Sequence, residues 1–183
     1  MYSDHAATLR HGEALVGLGR ELADHRALAR GLSLVGRVQM FSDPLTALGT
    51  LGEALATARS IDDHSGVVYC LVITADANHH LDLFGEALHC AEQALLTAEH
   101  VGDTWSIACA VMQVAAAARE VGELDRAVAA AGSLMELART STTSFSRRAR
   151  TGVAASWACT VATLRPPRTS HQHASLQTAP TMT

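Results

Sequence analysis

The 183 residues are 48% hydrophobic, 17% charged and 4% aromatic, which suits one domain with a core of its own. With 34 Ala, 22 Leu and only 4 Pro, the chain favours helix and is not a β-sandwich or barrel. The formal charge of −4 is unevenly spread: all 18 acids lie before residue 137, among 8 Arg, while residues 137–183 hold 6 Arg and no acid, so the body should repel nucleic acid.

The first predicted helix, near 4–22, carries Ala7, Ala14, Leu15 and Leu18, and its Gly12-Glu13-Ala14 returns forty residues later as Gly52-Glu53-Ala54. A second, near 25–40, sets Leu28, Leu32, Val35 and Val38 on one stripe. Ser42-Asp43-Pro44 then supplies an N-cap and an early-helix proline for a third, near 43–60. The fourth, near 65–80, repeats the stripe with Val68, Leu71, Val72 and Ala75. A fifth is expected near 83–99, and a sixth near 104–120 with Ala108, Val111, Met112, Ala115 and Ala118. The turn Gly122-Glu123 opens a seventh near 123–139. Residues 60–65 and 100–105 read as longer joints between repeats, with capping residues in them.

A shift of forty residues superimposes 43–63 on 83–103 and on 123–143. The matched columns are Ala47, Ala87 and Ala127; Leu48, Leu88 and Val128; Ala54, Ala94 and Leu134; Leu55, Leu95 and Met135; and Ala58, Ala98 and Ala138. With Leu51, Ala91 and Ala131 they make one helical stripe, and its small residues let neighbouring helices approach closely. One hairpin cannot bury its own apolar face, so stacked hairpins are expected to supply the core. The expected fold is all-α: a right-handed α-solenoid of about seven to eight helices.

The pattern AxxxxxxALxxAxxxGD, preceded by a turn such as GELDRA, resembles tetratricopeptide-like (TPR-like) repeats, with a period of forty in place of the usual 34. Gly122 and Ala127 match the family's turn glycine and small second-helix residue, and Ala115 and Ala118 its first-helix positions, the latter imperfectly. The longer form is similar to the helical sensor regions of large bacterial regulators, including LuxR-type transcriptional regulators and related signal-transducing ATPases. The resemblance covers about residues 5–140 and implies a scaffold for a protein or peptide partner. No GxxxxGK[ST] loop and no DNA-reading helix-turn-helix is found.

After residue 140 the periodicity decays through Arg148, Thr151 and Gly152, although Ala155 and Ala158 still fit. The expected division is a repeat domain over 1–145, a capping helix over 146–164 with Trp157 inward, and a disordered tail over 165–183. The loss of acids and of the repeat also fits a shifted frame or a truncation near 140–150. The start lacks the basic-then-apolar order of a secretory signal, and no apolar run is long enough to span a bilayer, so the chain is expected to be cytoplasmic, with no membrane partner.

Cys70, Cys90, Cys109 and Cys159 are scattered without a CxxC pair and read as buried reduced thiols. His79-His80, near Asp76 and Asp82, lie at a helix end, but adjacent helical residues point about 100° apart and rarely share a metal. Glu53, Glu86, Glu92 and Glu123 read as solvated faces or first turns. No cofactor, metal or catalytic residue is expected. The first-helix surface inside the stack is the expected partner groove, with Arg37, Tyr69, Ile73, Asn78, Gln113 and Ala117 in phase and Trp105 at a rim. The leading functional expectation is a non-enzymatic scaffold for protein–protein interaction in bacterial signalling or transcriptional regulation, without direct DNA binding. The competing one is an inactive fragment of a LuxR-type or ATPase-linked regulator.

Overall fold

Aspartates start most of the helices. Asp4, Asp24, Asp43, Asp63 and Asp103 each precede a helix and accept a backbone N–H from its first turn at 2.9–3.1 Å, satisfying donors that have no partner inside the helix. The helices are α1 (His5–Glu21), α2 (His25–Gln39), α3 (Pro44–Ser60), α4 (His64–His80), α5 (Phe84–Val101), α6 (Thr104–Glu120) and α7 (Leu124–Thr140). Their ends fall within two residues of the expected ones. A computed structural model describes residues 4–140; among them there is no strand, so this part of the chain is all-α. The capping helix expected over 146–164, the tail over 165–183 and Cys159 lie outside the described residues.

The joints correct one expectation. Residues 61–63 and 102–103, between repeats, are no longer than 81–83 and 121–123 within them. The extra length over a 34-residue repeat lies in the helices themselves, which run 15–18 residues. Five of the joints pass through the left-handed region one residue before the cap position, at Ala23, Asp62, Asp82, Gly102 and Gly122.

Each helix packs on its chain neighbours, and α4 also packs on both α2 and α6. The even-numbered helices therefore lie side by side. Exposed ion pairs link odd-numbered ones, Arg20 to Glu53 at 3.4 Å between α1 and α3, and Arg126 to Glu92 between α7 and α5. The alanine columns fill the seams: Ala47, Ala54 and Ala58 of α3, Ala87, Ala94 and Ala98 of α5, and Ala127 and Leu134 of α7 are all buried. Val67, Val68 and Leu71 of α4 pack among Ala58, Ala94, Ala98 and Ala110. Burying each such large side chain contributes about 1.5–3 kcal/mol.

The early, fourth copy of the repeat does not pack like the others. Ala14 and Leu18, the counterparts of Ala54 and Ala58, are exposed on α1. α1 buries Gly12 and Gly19 instead, against α2. A Cβ on Gly19 would stand 2.6 Å from the Leu28 nitrogen, and one on Gly31 2.7 Å from the Val16 nitrogen, so the two backbones meet where only glycine fits. The counterpart face of α3 lies between α2 and α4; α1 has α2 as its one large neighbour among the described residues, and it turns its glycines that way.

Among the described residues, Cys70, Cys90 and Cys109 are free thiols. Cys70 is buried, whereas Cys90 and Cys109 are only half-buried, a partial correction to the expectation of fully buried thiols. Among the described residues, no helix is long and apolar enough to cross a membrane.

Candidate functional site

α4 is apolar on almost every side because α2, α3, α5 and α6 all pack on it. Its polar residues are therefore informative. Tyr69 and Asp76, seven residues and two turns apart, share one face, and each is bonded to a different neighbour. Arg37 Nη1, in the last turn of α2, donates to Tyr69 Oη at 3.3 Å. Gln113 Nε2 of α6 donates to Asp76 Oδ1 at 2.7 Å. One polar row thus crosses three helices, from Arg37 through Tyr69 and Asp76 to Gln113.

Asp76 is the carboxylic acid of the row. Burial pushes its carboxyl above the usual 3.8, against the Gln113 hydrogen bond and the nearby His80, His79 and Arg37, which all favour the charged form. Beside it the α4 C-terminus makes a rim. His79 Nε2 lies 4.0 Å from Glu120 Oε1, and Glu120 also pairs with Arg119. The His79 ring meets Phe84 edge-on at 5.3 Å, and His80 meets Phe41 edge-on at 5.8 Å. Phe41, 55% exposed as a residue, stacks on His5 at 4.9 Å.

Of the expected groove residues, the fold brings together Arg37, Tyr69 and Gln113, but Gln113 is 6% exposed and, contrary to expectation, meets Asp76 from within the fold and not from an open surface. Trp105 is half-buried in the first turn of α6. Ile73 and Ala117 need correction. Ile73 is 3% exposed and packs with Met40, Leu51 and Ala77, and Ala117 is buried beside Leu88 and Val114, so neither reaches a surface. Asn78 is buried as well, with its Nδ2 3.8 Å from Cys90 Sγ, on the side toward α5. Helical phase alone cannot separate these faces in a helix packed against four neighbours.

Sequence reasoning missed the role of Asp76, which it weighed only as a metal ligand beside His79. The available signal was an acid flanked by alanines inside VVYCLVITADAN, where a charge has to be partnered. Phe41 was missed because it follows the last turn of α2 and belongs to no repeat column.

Chemically the row offers a carboxylate, a phenol and a guanidinium at fixed spacing on a rigid platform. Burial and nearby acids push the Cys70 and Cys109 thiols up to about 12, so neither supplies a thiolate nucleophile near neutral pH. Among the described residues, no group of three or more His, Cys, Asp or Glu is placed to hold a metal ion. A depression of about 380 Å³ lies where α3, α4 and α5 meet, lined in part by Arg59, His64, Leu71 and Leu96. Its Gln93 is bonded to His89 of the same helix. No protein-family model matches the chain, and no curated protein matches it either.

Proposed function

We propose that the described helices are a right-handed TPR-like solenoid and that the chain is a non-enzymatic scaffold that binds a protein or peptide along α2, α4 and α6. The polar row from Arg37 to Gln113 is the observation that carries this reading: its bonds cross the layer that lines the inside of such stacks. An extended segment laid across the three helices would meet Asp76 and Tyr69 at the middle, with the Phe41 and His80 rings at the rim as an apolar contact. The few aromatics limit strong anchors, so affinity is distributed over the row. The setting we infer is the bacterial cytoplasm, in signalling or transcriptional regulation, with protein and not DNA as the partner.

The test is capture from the native cytoplasm with the full chain, followed by calorimetric titration of the purified partner. Asp76→Ala and Tyr69→Ala should each weaken binding by about tenfold, and Glu53→Ala, on the odd-numbered helices, should leave it unchanged. A partner that binds both inner-row variants as tightly as the original chain, yet loses affinity for Glu53→Ala, would sink the reading.

A further inference from the structure

The Asp76 carboxylate is half used. Gln113 Nε2 donates to Oδ1 at 2.7 Å, but among the described residues no group donates to Oδ2 and no ion pair joins Asp76 to a basic side chain. An ionised carboxylate has acceptor sites on both oxygens, and a covered one without a counterion is costly. Burial outweighs the Gln113 hydrogen bond and the nearby His80, His79 and Arg37, of which Arg37 acts least. Arg37 is held elsewhere, with its Nη1 on Tyr69 Oη at 3.3 Å.

The open oxygen belongs to a residue that can be reached from outside. Asp76 is half-buried and not sealed. Tyr69 lies on the same face two turns before it. One turn after it, His80 stands edge-on to Phe41 at 5.8 Å, and Phe41 is 55% exposed. A side chain that brings a positive charge to Oδ2 therefore finds aromatic surface for its stem toward either end of α4.

We propose that Asp76 is the specificity-determining residue of the inner row and takes a lysine or arginine side chain of the bound segment on Oδ2. This rests on the scaffold reading and adds the chemistry of the partner, which is a basic segment. A neutral donor would fill Oδ2 and leave the charge uncompensated, whereas a cationic one does both, through a charge-assisted hydrogen bond. The wider field agrees. Residues 4–140 hold 18 acids and 9 Arg, a balance that draws basic chains and repels acidic ones.

NMR titration of the full chain tests this with three capped pentapeptides that differ only in a central lysine, glutamine or glutamate. The side-chain amide signal of Gln113, bonded to Asp76, is the readout. The lysine peptide should shift it saturably and bind about tenfold tighter than the glutamine peptide, with the glutamate peptide weakest. Asp76→Asn keeps an oxygen for Gln113 and should abolish the difference between lysine and glutamine. Equal binding of those two peptides to the original chain, or no shift by the lysine peptide, overturns the proposal, and neither outcome depends on a variant. Tightest binding by the glutamate peptide overturns it by assigning the row to Arg37, and a lysine preference that survives Asp76→Asn by assigning it to another acid. The scaffold reading fails separately: a captured partner that loses affinity for Tyr69→Ala but binds Asp76→Asn as tightly as the original chain overturns the charge assignment and leaves the scaffold standing.

Discussion

Gln113 Nε2 reaches Asp76 Oδ1 at 2.7 Å across the α4–α6 contact, and Gln113 is itself only 6% exposed. Each group hides the other from water, so removing one strands its partner. Gln113→Leu keeps the volume and deletes the donor to the carboxylate. The expected loss is about 2 kcal/mol, the usual range for a hydrogen bond to a charged group, or roughly 6 °C in Tm for a domain of this size. Thermal melts followed by circular dichroism check it, and an unchanged melt would mean that the pair contributes nothing in solution.

The same acid sets a pH dependence whose sign can be worked out. Burial is the largest cause acting on Asp76 and raises its folded-state pKa above 3.8. Between 3.8 and that raised value the folded chain holds more protons than the unfolded one, so the contribution of Asp76 to stability falls as pH rises through the window. At neutral pH the charge is a burden. Asp76→Asn retains an oxygen for Gln113 and removes the charge, and should melt higher than the original chain at pH 7. The advantage should shrink on acidification and vanish below 3.8. A lower melt for Asp76→Asn at pH 7 would show that Arg37, His79 and His80 outweigh burial.

The seam between hairpins is tested at Ala94, which is buried in one cluster with Ala58, Val68, Leu71 and Ala110. Ala94→Asp puts a carboxylate there without a partner, at a cost of several kcal/mol. Total stability is typically about 5–15 kcal/mol, so the helical signal at 25 °C should be largely lost. Glu99→Ala, on the exposed side of the same helix, should be nearly neutral. Equal melts for the two variants would mean that the buried face of α5 is wrongly assigned.

The thiols should react in a definite order. Burial first, then nearby acids, push Cys70 and Cys109 from 9.0 up to about 12. At Cys90 burial also raises the pKa, but the Asn78 amide opposes it. Alkylation of the folded chain at pH 8 should therefore mark Cys90 before Cys70 and Cys109, as read by mass spectrometry of the cysteine-bearing peptides. Early labelling of Cys70 would point to opening of the α3–α4 seam.

Helix ends and the alanine seam were legible because they depend on local chemistry that recurs. An aspartate stands before five of the helices, and Ala47, Ala87 and Ala127 return at a fixed interval into equivalent buried sites. What could not be read was rotation about a helix axis. α1 carries the repeat residues Ala14 and Leu18 yet packs through Gly12 and Gly19, since close backbone approach to α2 outweighs the small apolar side chains. Ile73 has the phase of a groove residue but lies against Leu51 of α3, which no periodicity within α4 reveals. Of the site, Arg37, Tyr69 and Gln113 were legible by phase. Asp76 was not, because its meaning rests on a donor 37 residues away.

The left-handed joints give a final prediction. Ala23 has φ 50°, Asp62 53° and Asp82 58°, whereas Gly102 and Gly122 occupy the equivalent places at 72° and 87°. A left-handed alanine is strained by about 1–2 kcal/mol, and glycine removes that strain while losing more backbone entropy on folding, by roughly 0.5–1 kcal/mol. Ala23→Gly should therefore gain about 0.5–1 kcal/mol, or ~2 °C in Tm. Asp82→Gly should gain less, because aspartate tolerates this conformation better than alanine does. Gly122→Ala imposes the strain in the opposite direction and should lose about 1 kcal/mol. Chemical denaturation of the three variants orders them, and a Gly122→Ala chain as stable as the original would mean that this joint relaxes out of the left-handed region at no cost.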